Sequence, residues 1–110
     1  MSKTAIITGG NKGIGLAVAK DLISKNYIVI IGCRDTSKGK MAEEYLGNNA
    51  HFLELDLSKP ASVLQFVKQI NNNFSEIDVL YNNAGLIYNL MSVNKLKPNH
   101  IAIILSLIHI

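Results

Sequence analysis

The sequence predicts an α/β fold, a parallel β-sheet with helices on both faces, organised as a single domain. Three observations predict it. Short apolar runs with β-branched residues stand at Thr4–Thr8 and Tyr27–Ile31, and further strands at His51–Leu55 and Val79–Tyr81. The segments between them repeat apolar residues at three- and four-residue intervals, the period of a helix. The runs are continuous rather than alternating, which marks strands covered on both faces. Strands alternating with helices of this length imply parallel pairing through right-handed crossovers.

Length and composition set the limits. With 110 residues, the chain hides about two-thirds of its unfolded surface, enough for one core and too little for a second full domain. A hydrophobic share of 48% excludes intrinsic disorder, which lacks the apolar surface to offset chain entropy. The net charge is +3, but the basic residues are spread from Lys3 to Lys97. No basic run marks a nucleic-acid surface, and a mild positive surplus suits a small anionic ligand. Cys33 is the one cysteine, so neither an internal disulfide nor a thiolate metal cluster is expected. His51, His100 and His109 lack metal-ligand spacing. Met1 to Thr4 carries no signal-peptide pattern, which makes a cytoplasmic location the expectation.

The elements follow in order. Thr4–Thr8 is a buried strand meeting the Gly9-Gly10 turn. A helix starts near Ile14, with Ile14, Val18 and Leu22 at intervals of four, Ala17 on the same side and a stop at Asn26. Tyr27–Ile31 is the second strand. Met41, Tyr45, Ala42 and Leu46 suggest a short helix, and His51–Leu55 a third strand. Leu64, Val67, Ile70 and Phe74 suggest another helix, with Ser58 placed to cap it and Pro60 in its first turn. Val79–Tyr81 is the fourth strand, closed by Asn82-Asn83-Ala84-Gly85. Leu86–Asn94 has no clean period. The run 101–110 holds five isoleucines, too short to span a bilayer, and is either a strand buried on both faces or a helix packed on all sides.

Thr8-Gly9-Gly10-Asn11-Lys12-Gly13-Ile14-Gly15 lies between the first strand and the first helix. Glycines there let the backbone approach a pyrophosphate, and the helix N-terminus favours its charge. The alternative is a glycine-rich turn without a ligand. Roughly twenty residues on, a dinucleotide-binding unit meets the adenosine ribose. This chain has Gly32-Cys33-Arg34-Asp35 there. Arg34 can pair with a 2′-phosphate and Lys12 can reach the same group, so NADP(H) is preferred over NAD. Asp35 either caps the following turn or weakens that preference. Cys33 is either a buried small hydrophobe or a redox-sensitive thiol beside Arg34.

Thr8–Gly15 resembles the TGxxxGxG loop of the short-chain dehydrogenases/reductases, and Asn82–Gly85 resembles their NNAG motif. TGGNKGIG, the later CRD, LDL at 55–57 and DVLYNNAG at 78–85 are similar to carbonyl reductases of that superfamily. The resemblance covers about residues 3 to 88. It implies a Rossmann-like three-layer sandwich with strand order 3-2-1-4. It also implies that Gly9, Asn11, Lys12, Gly13, Ile14 and Gly15 wrap the pyrophosphate and adenosine side, and that Arg34 holds the 2′-phosphate. Asp56 and Leu57 would then bracket the adenine, and Asn83, Ala84 and Gly85 would lie along the nicotinamide ribose. Structural roles stay open beside these: Asp56 capping the helix near Ser58, and Asn82 stabilising the sheet.

The family's proton relay, a serine with a tyrosine and a lysine four positions on, has no match. Tyr27, Tyr45, Tyr81 and Tyr88 are followed at the lysine position by Ile31, Asn49, Gly85 and Ser92. Ser106 has only four residues after it. The chain thus resembles a truncated reductase, with residues 1–87 an NADP-binding half-domain and 88–110 a divergent segment. Strand four would be left at an edge, which 101–110 could cover as an extra strand in its own or a neighbouring chain. A homo-oligomer, dimer or tetramer, is the resulting expectation. Three functions are compatible with these residues: an NADPH-binding or redox-sensing module without catalysis, a minimal carbonyl reductase using Tyr88 or His100 as proton donor, and a ligand-free interaction protein.

Overall fold

The computed structural model describes residues 2–74, 76–82 and 89–96. Eight elements run in the order β1 (Lys3–Thr8), α1 (Gly13–Ser24), β2 (Tyr27–Cys33), α2 (Thr36–Leu46), β3 (Ala50–Glu54), α3 (Pro60–Asn73), β4 (Ile77–Asn82) and β5 (Asn89–Leu96). They form one sheet of order β3-β2-β1-β4-β5. The first four strands are parallel, with Thr8 opposite both Gly32 and Asn82. The expected 3-2-1-4 order is therefore present.

Two cores explain the continuous apolar runs, because neighbouring residues on one strand serve opposite layers. Ile6, Ile30 and Leu80 pack with Val63, Phe66 and Ile70 of α3 on one face. Ile7, Val29 and Ile31 pack with Ala19 of α1 and Ala42 of α2 on the other. Phe66 is fully buried, and truncating a ring in such a site costs about 3–5 kcal/mol.

Each helix keeps part of its expected inward face and turns the rest to solvent. In α1 the small Gly15 and Ala19 meet the sheet, flanked by Leu16, Leu22 and Ile23, whereas Ile14 is 56% exposed and Ala17 faces solvent. Small residues let the helix approach closely, and of the expected stripe Val18 and Leu22 keep their contact with the core while Ile14 and Ala17 lose it. Ala42 and Leu46 of α2 face inward, but Met41 and Tyr45 face out. In α3 the expected Ile70 and Phe74 pack inward together with Val63 and Phe66, whereas Leu64 faces out. Asn26 ends the first helical segment as expected, in the left-handed region at φ +70°.

β5 pairs antiparallel with β4, Leu80 opposite Met91 and Asn82 opposite Asn89. The strand beside β4 is thus 89–96, whose polar mix hides it from a search for apolar runs. An edge strand is not obliged to be apolar on both faces. Residues 101–110, and with them the expected extra strand, lie outside the described residues.

Candidate functional site

The parallel register brings the C-terminal ends of β1, β2 and β3 to one edge of the sheet, where Thr8, Cys33 and Glu54 are followed by the glycine loop, Arg34 and Asp56. The connections run from β1 outward to β3 and then return to β4 on the far side of β1. A crevice beyond the strand ends at such a reversal is where open α/β sheets bind ligands.

The loop is built for close approach. Gly9 and Gly13 have φ of +68° and +58°, values that a side chain would strain. The Gly9 amide donates to the Gly32 carbonyl at 2.7 Å, tying the loop to β2. Lys12 stands at the N-cap of α1 in an extended conformation and supplies no side-chain cap, and no acid lies in the first turn. The helix thus presents its positive end without a competing carboxylate. Lys12 and Ile14 are exposed and Asn11 half-buried beside it.

Arg34 is exposed at the end of β2. Asp35 resolves in favour of the cap: its Oδ1 accepts from the Lys38 amide at 3.0 Å, at the N-cap of α2. Cys33 is buried, its thiol donating to the Asp35 carbonyl at 3.5 Å. Burial pushes the thiol above its ordinary pKa, and the Asp35 and Glu54 charges add to the rise while the Asp35 carbonyl opposes it. That is the character of an inert structural cysteine, not of a sensing thiolate.

Asp56 and Leu57 follow β3, both half-buried. Asp56 Oδ1 accepts from the Ser58 hydroxyl at 2.5 Å and the Ser58 amide at 3.0 Å. These two bonds, hydroxyl first, hold its carboxyl below the usual aspartate range, and Lys59 and Arg34 reinforce the shift. Ser58 therefore serves Asp56 and not α3, whose N-cap is Lys59. The Asp56 amide in turn donates to Ser62 Oγ at 2.9 Å. The roles of Ser58 and Ser62 were not foreseen, although the serines at 58 and 62 on either side of Pro60 mark a hydrogen-bonded turn. Asn83, Ala84 and Gly85 lie outside the described residues, as do Tyr88 and His100. Among the described residues there is no group of histidines, cysteines and carboxylates able to hold a metal, and no helix long and apolar enough to cross a membrane.

A fold of this order with a glycine loop at its reversal point defines a class of nucleotide-binding α/β proteins. The family model for short chain dehydrogenases matches residues 3–107, and the chain belongs to that family. It is 37% identical over 93 residues to the 3-oxoacyl-(acyl-carrier-protein) reductase FabG of Buchnera aphidicola, covering 84% of this chain and 38% of that one. The menthone neomenthol reductase structure from Mentha piperita superposes with a TM-score of 0.74 at 39% identity, over 78% of this chain and 32% of that one. An actinorhodin polyketide ketoreductase structure with NADPH gives 0.71 at 28% identity, over 76% and 33%. The chain spans about a third of the length of these relatives. The family match also extends past residue 88, where the recognisable motifs end.

Proposed function

We propose that this chain is an NADP(H)-binding module of the short-chain dehydrogenase family that does not itself reduce a carbonyl compound. The observation that carries the reading is the disposition at the end of β2. Arg34 is exposed toward the site while Asp35, the acid beside it, is engaged as the α2 cap. A free acid at this edge would favour the ribose hydroxyls of NAD, whereas a free arginine favours a 2′-phosphate. Asp56 and Leu57 would flank the adenine, the glycine loop the pyrophosphate, and Asn83, Ala84 and Gly85 the nicotinamide ribose. The actinorhodin ketoreductase with NADPH supports this cofactor choice. The non-catalytic part of the reading is confined to residues 1–110, in which no tyrosine has a lysine four positions on. A single free cysteine suits a cytoplasmic location, and the segment 88–110 is the proposed route to a homo-oligomer.

Titration calorimetry on nucleotide-stripped protein tests the reading. NADPH should bind more tightly than NADH, and Arg34→Leu should weaken NADPH by about 10- to 150-fold, the worth of a charge-assisted hydrogen bond of about 1.5–3 kcal/mol, while leaving NADH unchanged. Equal affinity for both dinucleotides would overturn the role of Arg34, and loss of NADPH absorbance with simple quinones or aldehydes would overturn the non-catalytic reading.

A further inference from the structure

The sheet ends on one side at β3, a strand with no neighbour on its outer edge among the described residues. An open edge offers unpaired amides to any passing strand, and proteins that stay soluble block it. The bonds to β2 show which amides of β3 face outward. The Asn49 carbonyl accepts from the Val29 amide and the Leu55 amide donates to the Cys33 carbonyl, so 49, 51, 53 and 55 face β2 and Ala50, Phe52 and Glu54 face away.

Two of these three outward amides are occupied by the segment that leads into the strand. Ala50 donates to the Gly47 carbonyl at 3.2 Å. Phe52, at the middle of the strand, donates to Glu43 Oε2 at 2.6 Å. Glu43 reaches it because α2 lies close over β3, with Gly39 one turn earlier packed directly over the Phe52 ring.

We propose that Glu43 is an edge plug: by occupying the Phe52 amide it prevents a second copy of this chain from adding a strand to β3. Strand addition needs consecutive outward amides, and with 50 and 52 taken Glu54 alone is left. The carboxylate also sets a negative charge against the edge, so an incoming backbone carbonyl meets repulsion where it would need a donor. Self-association of the native chain is thereby directed away from β3.

The test compares Glu43→Ala, which removes the acceptor, with Glu43→Gln, which keeps an oxygen at the same reach. A third variant, Val63→Ala, weakens the core on the α3 face of the sheet while leaving the Glu43–Phe52 bond on the α2 face in place. Amide hydrogen exchange is measured at Phe52, and sedimentation velocity follows mass from low to high micromolar concentration. The expected result is Phe52 exchange at least ten-fold faster in Glu43→Ala, with a concentration-dependent association step beyond any assembly shown by the wild type, Glu43→Gln and Val63→Ala. Unchanged Phe52 exchange in Glu43→Ala would overturn the proposal. So would equal association by Val63→Ala, because general destabilisation would then account for the effect.

Discussion

Replacing Gly39 by alanine should destabilise the protein, although alanine is the better helix former. Gly39 is buried in α2, and a methyl group there would lie 2.2, 2.3 and 2.7 Å from three atoms of the Phe52 ring. Overpacking of this kind costs about 1–3 kcal/mol, and an overlap with three ring atoms belongs at the upper end. The helix cannot simply move away, since the Glu43 bond to the Phe52 amide pins the same interface one turn on. Against this stands the gain of about 1 kcal/mol for alanine over glycine within a helix. The net loss is about 2 kcal/mol, a fall in Tm of roughly 10 °C for a domain of this size. Thermal and urea denaturation followed by circular dichroism would measure it. In a Phe52→Ala background the ring is gone and the sign should reverse, so that Gly39→Ala becomes stabilising. A Gly39→Ala single variant more stable than wild type by about 1 kcal/mol would refute the close packing of α2 on β3.

Three further outcomes are expected. Phe66→Ala should lose about 3–5 kcal/mol by urea denaturation, because the ring is fully enclosed between α3 and the sheet; a loss below about 1 kcal/mol would contradict that enclosure. Asp56 is held below the ordinary aspartate value by the Ser58 hydroxyl and amide, with Lys59 and Arg34 adding. Its stabilising effect is therefore present above pH about 4 and lost as pH falls through the depressed native value. Ser58→Ala should raise the Asp56 titration midpoint in carboxyl carbon NMR, and an unmoved midpoint would argue against the clamp. For Cys33 the sign is opposite: burial raises the native thiol, so its contribution is present below about pH 8.5 and lost as pH rises through the native value. Iodoacetamide should label the folded chain far more slowly than the urea-unfolded chain, and equal rates would show an accessible thiolate.

Strands β1 and β2 were legible because both of their faces are covered, which leaves continuous apolar runs such as Ile28–Ile31, whereas β3 has His51 and Glu54 exposed and was legible from its place in the strand–helix alternation. The glycine loop was legible for a related reason, since the turn from β1 to α1 requires left-handed backbone at Gly9 and Gly13. Helix faces were read less well. Periodicity shows that a stripe exists, but size decides which residue meets the sheet, and Gly15 and Ala19 carry little hydropathic signal. β5 was missed because its sequence has no period to detect. The place of Arg34 just after β2 was legible from its spacing after the loop, whereas the cap formed by Asp35 was not, because a cap and a ribose ligand use the same carboxylate. The clamp of Ser58 and Ser62 on Asp56 depends on how the turn after β3 closes, which residue types alone do not specify.

If the loop between β1 and α1 and the arginine after β2 form one NADP(H) site, both respond to NADPH together. Proton–nitrogen NMR of isotope-labelled protein titrated with NADPH and then NADH tests it most directly. NADPH should shift the backbone amides of Gly9, Gly13 and Gly15 together with the Arg34 side-chain Nε signal, and NADH should leave the Arg34 signal in place. NADPH shifts confined to other parts of the chain, or none at the glycine loop, would contradict it.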